Sequence, residues 1–225
     1  MSNIKTFENF NNQDIFTYIE NNDIKSIKNY INSGYDLNIE GDEYGNTPLI
    51  LASQDNNIEI VKLLLNSGAN IDKQNEDGDT ALILAAHKDN IEIVNLLLNA
   101  GADIDKQDSA GYTALIHATY KNNIEIVKLL LNAGSYIDKQ DKYGYTALIW
   151  AAFYNNREIV EILLDYGADE FILNAQNKSF YDFLNIENKE YFTQNYPTSV
   201  YKAIYHNYKK SFTDFVKDYN IKIKK

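Results

Sequence analysis

The 225-residue chain is 44% hydrophobic with 2 Pro and 10 Gly, a composition that fits a folded, helix-rich protein and excludes collagen-like or linker-dominated chains. It has no cysteine, which removes disulfides, thiolate zinc sites and a cysteine nucleophile together and points to an intracellular setting. The formal charge of -11 is uneven: residues 185–225 carry eight Lys against four acidic groups, and residues 1–184 carry 13 basic against 28 acidic, so the body would repel phosphate backbones and no nucleic-acid partner is expected.

In chain order, Met1 to Phe16 has no basic segment leading into an apolar run, so no cleaved signal peptide is expected. Export by a route without one stays open. No apolar stretch anywhere reaches membrane length, and no membrane partner is expected. Ile24, Ile27, Tyr30, Ile31 and Gly34 have the spacing of a helix and its stop, with Asp14 placed to cap a helix before it. These residues form a first, degenerate unit over 1–41.

A fixed period begins next. Gly45, Gly78, Gly111 and Gly144 stand 33 residues apart, and each is followed two residues later by Thr47, Thr80, Thr113 or Thr146 and an apolar run. A threonine there accepts a bond from the free N–H groups of a starting helix, and Pro48 occupies a position where a missing N–H costs nothing. Each first helix should run about ten residues and end at Asn56-Asn57, Asp89-Asn90, Asn122-Asn123 or Asn155-Asn156, since Asn tolerates the left-handed conformation of helix ends. A second helix follows. Ile91, Val94, Leu97 and Leu98 form its apolar stripe, Glu92 and Asn95 point away, and Gly101 stops it, as Gly68, Gly134 and Gly167 do in the other copies. The stretch from Ala102 to Asp108, polar around one buried Ile104, is an extended turn projecting to the next unit. One unit cannot bury its own stripe, whereas stacked copies can.

This pattern resembles the ankyrin repeat, a 33-residue β-turn and two antiparallel helices whose signature runs Thr-Pro-Leu-His and, later, a leucine-rich helix ending in Gly-Ala. The resemblance implies an all-α repeat solenoid of stacked helix-turn-helix units with projecting β-turns or hairpins. Four regular units occupy 42–74, 75–107, 108–140 and 141–173. The family's histidine is replaced by Ile50, Ile83, Ile116 and Ile149, exchanging a polar bridge for apolar burial. Residues 174–184 begin a capping unit in which Ser179 caps the first helix. In the basic tail, 185–225, Val200, Ile204, Tyr208, Phe212, Phe215 and Tyr219 recur at threes and fours after Pro197, an amphipathic helical extension. It either closes the end of the stack, docks a partner or a second copy, or lies on a membrane through Lys217, Lys222, Lys224 and Lys225.

The resemblance further implies a protein partner held in the concave groove lined by turn tips and first helices. Carried onto this chain, the groove offers Glu76, Asp77 and Asp79 in its earlier units and Tyr112, Tyr120, Lys121, Lys142, Tyr143, Tyr145, Phe153 and Tyr154 in its later ones. Tyrosines bring large contact area at small entropic cost, so the later positions have the composition of a binding hot spot, with the acidic positions steering a basic segment of the partner. The alternative is that 18 tyrosines in the chain put some rings there by composition alone. Trp150 and His117 match Leu51 and Leu84 and are assigned to the core between units. The whole is therefore expected to be a non-catalytic scaffold, monomeric unless the tail pairs copies. An inhibitor or accessory subunit that masks another protein's site would use the same groove.

Catalysis has little to stand on. His87, His117 and His206 fall in different units, and no phosphate-cradling glycine loop or His-Glu-x-x-His is present, so no cofactor and no metal are expected. Asp103, Asp105 and Asp108, echoed by Asp138 and Asp141, lack the glycine turn and late Glu of a calcium loop; fixing turn backbone is their expected work.

Overall fold

The structure, a computed structural model, describes residues 11, 14–41, 43–204 and 211–218. All regular elements among the described residues are helices. They open with α1 (Asp14–Glu20) and α2 (Ile24–Asn32), followed by four pairs of identical design: α3 (Pro48–Gln54) with α4 (Ile58–Asn66), α5 (Ala81–His87) with α6 (Ile91–Asn99), α7 (Ala114–Tyr120) with α8 (Ile124–Asn132), and α9 (Ala147–Phe153) with α10 (Arg157–Asp165). Next come α11 (Phe180–Phe183), α12 (Ile186–Asn195), α13 (Pro197–Ala203) and α14 (Phe212–Asp218). The chain divides into two compact units, Met1–Asp103 and Ile104–Lys225.

The hydroxyls of Thr47, Thr80, Thr113 and Thr146 each accept the N–H three residues on at 3.2 Å, satisfying one orphan donor of the first turn. The first helices have seven residues rather than about ten. Asn56, Asp89, Asn122 and Asn155 turn left-handed, with φ between 54° and 69°. The following residue then returns its N–H to a carbonyl five positions back, as Asn57 does to Ala52 at 2.9 Å. That bond closes the helix a turn early.

Ile50, Ile83, Ile116 and Ile149 are at most 2% exposed, so the exchange of histidine for isoleucine does give apolar burial. In α6 the fully buried face is Ile93, Val94 and Leu97. Ile91 and Leu98, expected in the stripe, are only partly so: Leu98 is half-buried on the helix flank, and Ile91 lies at the helix entrance. Ile104 is likewise half-buried.

Asp14 is the first residue of α1 and not its cap; its carboxylate accepts the Asn11 N–H at 2.7 Å. The cap of this unit belongs to α2, where Asp23 accepts both the N–H and the hydroxyl of Ser26, at 3.1 and 2.6 Å. Ile15, Ile19, Ile27 and Tyr30 form the core between the two helices.

At the other end, Ser179 does stand at the start of α11, its N–H held by the Asp182 carboxylate at 2.8 Å. α12 takes the place of a second helix. The Arg157 guanidinium, at the start of α10, bonds Glu187 at 2.6 Å and Asn188 at 2.7 Å, so the sixth helix pair continues past Leu184 to Asn195. α13 packs against α11 and α12, burying Val200 and Ala203, while Phe215 of α14 is fully buried. Glu170 fixes α13 by accepting from Ser199 at 2.7 Å and pairing with Lys202 at 3.2 Å. Tyr208, Tyr219, His206, Lys222, Lys224 and Lys225 lie outside the described residues.

Candidate partner-binding face

The tips opened by Asn75, Asp108, Asp141 and Asn174 are each a small hairpin closed by two backbone bonds, as in Asp141 N–H to the Tyr145 carbonyl at 2.9 Å and Gly144 N–H to the Asp141 carbonyl at 3.0 Å. Tips within one unit are joined through the backbone, Glu76 to Tyr44 in the first, Lys142 to Ala110 and Ala175 to Tyr143 in the second. Glycine is required at Gly111 and Gly144. Both have positive φ, and a Cβ on either would come within 2.8–2.9 Å of the next tip's backbone nitrogen.

The residue that opens each tip governs its shape. One oxygen of Asp108 accepts the N–H groups of Ala110 and Tyr112, both at 2.8 Å, and the other meets the His117 ring at 2.8 Å. Asp141 repeats this with Tyr143, Tyr145 and the Trp150 indole N–H, at 2.8, 2.9 and 2.9 Å. Where the helix position carries Leu84 or Phe183, with no N–H to offer, the tip residue is Asn75 or Asn174. These four tips thus match an aspartate to a side-chain donor and an asparagine to its absence, since a buried carboxylate oxygen without a donor is costly. His117 and Trp150, assigned to the core from their register with Leu51 and Leu84, are instead half-buried, as those leucines are. All four positions look toward the tips, and the two ring nitrogens pin them.

Three further aspartates also hold backbone. In the first unit Asp72 accepts the Asp103 N–H; in the second, Asp105 accepts that of Tyr136 and Asp138 that of Asp169, all at 2.8–2.9 Å. Their titration differs. Burial pulls the Asp108 carboxyl upward, but His117 and the Tyr112 and Ala110 N–H groups outweigh it and hold it below the usual range. Burial raises Asp138; the Asp169 N–H opposes this, and the Asp169 and Glu170 charges add to it.

The sign of each effect follows from linkage. The stability contributed by Asp108 is complete above its unfolded value of about 4 and is lost as pH falls through the lower folded value. The Asp108→Asn variant should therefore melt below the parent at neutral pH and converge on it in acid. A charged Asp138 opposes folding, so Asp138→Asn should melt slightly above the parent at neutral pH, with the gain vanishing below about pH 4. Thermal melts across that range check both.

In the Met1–Asp103 unit, Asp77 and Asp79 line a polar hollow of about 380 Å³ with Tyr44, Gln54, His87 and Lys88. Glu76 is exposed beside Asp77 on the same tip. In the Ile104–Lys225 unit the expected rings other than Tyr143 form one connected surface, and Tyr143 lines a hollow beside it. Trp150 is its centre, with ring centroids 4.8 Å from Tyr145, 5.6 Å from Phe153, and 5.8 Å from both Tyr112 and Tyr154. Tyr120 meets Tyr154 edge-on at 5.3 Å, and Lys121 stands over Tyr120. Tyr143 is 64% exposed, Tyr120 46%, Phe153 45% and Tyr154 42%, a large apolar area left to solvent. Lys142, on the same tip as Tyr143, is exposed. Trp150 and Phe183, which is 5.5 Å from Tyr145, were absent from the expected site. Their register with leucines hid them.

A fold of repeated short helix pairs, each opened by a projecting tip and leaving aromatic and polar faces open, defines a stacked helical-repeat protein. The family model for ankyrin repeats, in three copies, matches residues 15–108 and 101–174. The chain belongs to the ankyrin-repeat family, an all-α repeat solenoid class whose repeats generally mediate protein–protein interactions. No curated protein matches the chain. No helix among the described residues is long and apolar enough to cross a membrane.

Proposed function

We propose that the chain is a non-catalytic scaffold that holds a protein partner on the aromatic face of the Ile104–Lys225 unit. The observation that supports this best is the connected ring surface around Trp150, in which Phe153 and Tyr154 remain open to solvent, with the exposed Tyr143 lining the hollow beside them. Rings packed edge-on against one another are already ordered, so a partner covering them loses little side-chain entropy. Tyr120, Lys121, Lys142 and Tyr145 complete the face.

The partner should carry a basic segment. Residues 1–103 hold 6 basic against 17 acidic side chains, and residues 104–225 hold 15 of each, so the negative field that would steer a cationic partner comes from the first unit, with Glu76, Asp77 and Asp79 at its tip. The variant Glu76→Gln, Asp77→Asn should slow association and flatten its salt dependence while leaving dissociation nearly unchanged, as measured by surface-immobilised kinetics.

Affinity capture from native lysate tests the face itself. Proteins retained by the parent and by Tyr136→Ala, an exposed tyrosine not among these rings, should be weakened at least about tenfold with Tyr143→Ala, Phe153→Ala. Equal retention on that variant removes the face from the interaction.

A further inference from the structure

The aromatic face encloses an apolar hollow of about 290 Å³ lined by Tyr112, Tyr143, Tyr145, Trp150 and Phe153, with Ala175 and Gln176 closing one side. Tyr112 stands at 87° to Trp150 and Tyr145 at 32°, so the rings wall the space from more than one direction. At the borders of this surface the chain already uses its rings to hold cations: Lys121 lies 5.6 Å over Tyr120, and Lys178 lies 5.5 Å over Phe183. Over the rings that line the hollow, no lysine or arginine of the described residues is placed. Two carboxylates are bonded to its lining: Asp141, buried, accepts the Tyr143 and Tyr145 N–H groups and the Trp150 indole N–H and pairs with no lysine or arginine of the described residues, and Asp108, half-buried, accepts the Tyr112 N–H and meets the His117 ring. The reach of that charge is visible at Tyr112, whose hydroxyl is raised above its ordinary value by burial first and then by Asp141 and Asp108.

An apolar side chain would gain burial in such a space but nothing from the carboxylates or the negative ring faces. A cation gains from both, because ring quadrupoles and buried carboxylates act together where water is thinned. We propose that the hollow takes the cationic head group of a lysine or arginine side chain presented by the protein partner. This rests on the partner-binding reading above and names the residue that the face selects.

Trp150 is the single tryptophan of the chain and lines the hollow, so its emission reports occupancy directly. The full chain is titrated with tetramethylammonium chloride, with guanidinium chloride, and with tert-butanol as a neutral match in shape, at constant ionic strength maintained with sodium chloride. A saturable change with either cation and none with tert-butanol at equal concentration is expected. Tyr143→Leu should weaken the cation response at least fivefold; this ring stands largely in solvent, so its loss leaves the packing of the unit in place. Asp108→Asn, which retains an acceptor for the tip, should weaken it further. An equal or stronger response to tert-butanol, or a cation response untouched by Tyr143→Leu, overturns the proposal. The first outcome would leave the face intact as an apolar anchor site, whereas unchanged lysate capture by Tyr143→Ala, Phe153→Ala would remove the face even if the hollow took tetramethylammonium.

Discussion

Replacing Gly144 with alanine should destabilise the fold by about 3–4 kcal/mol, whereas the same change at Gly134 should cost about 1 kcal/mol. The two glycines have the same left-handed backbone, with φ of 79° and 90°, so the intrinsic penalty of a Cβ at positive φ is common to both. They differ in what that Cβ meets. At Gly134 nothing lies within 4 Å; at Gly144 it would stand 2.9 Å from the Ala175 nitrogen and 3.0 Å from the Asn174 Cα. Backbone cannot rotate aside as a side chain can, and the Ala175 N–H is the one that bonds the Tyr143 carbonyl at 2.9 Å. Accommodating the methyl group therefore means separating two tips. A protein of this size loses about 2–4 °C in Tm per kcal/mol, so Gly144→Ala should melt roughly 5–10 °C lower than Gly134→Ala by circular dichroism. Because Ala175 and Gln176 close one side of the aromatic hollow, the same variant should also change Trp150 emission below its melting transition. Equal melting of the two variants would mean that the tips have freedom the packing denies.

The 33-residue spacing made the helix pairs legible, and the threonine caps and left-handed Asn and Asp positions fell where the period put them. What the period could not convey is which side of a helix meets its neighbour. Ile93 and Leu98 are both apolar, and only the depth of packing in α6 separates the fully buried residue from the half-buried one on the flank. The sixth pair was obscured for a different reason. Its first helix has four residues rather than seven and the connection is one residue shorter, so α12 starts four residues ahead of the repeat and resembles the start of a tail. Of the proposed binding face, Tyr112, Tyr120, Tyr143, Tyr145, Phe153 and Tyr154 could be placed by register alone. Their assembly around Trp150 could not, since it depends on an indole N–H turned toward Asp141.

That indole bond carries the second large expected effect. Trp150→Phe retains a ring at the centre of the surface but removes the donor to Asp141, a residue 6% exposed whose carboxylate then keeps only the Tyr143 and Tyr145 N–H groups. A buried carboxylate oxygen stripped of its donor, with the smaller ring's lost packing added, should cost about 2–4 kcal/mol. Asp141→Asn alone should cost about 1–2 kcal/mol, because the amide retains one acceptor for the tip and turns an N–H toward the indole donor. Combining them should cost less than the sum by about 1 kcal/mol or more, since the double variant recreates the pairing the chain uses at Asn174 and Phe183. Recovery should stop short of the parent. The Asn174 side-chain nitrogen is buried with no hydrogen-bond partner among the described residues, and the amide introduced at position 141 would inherit that deficit, whereas Asn75 escapes it by donating to Asn46 at 2.9 Å. Urea unfolding of the four proteins of this cycle measures the coupling. Strict additivity would show that aspartate and donor occur together in the tips without depending on one another.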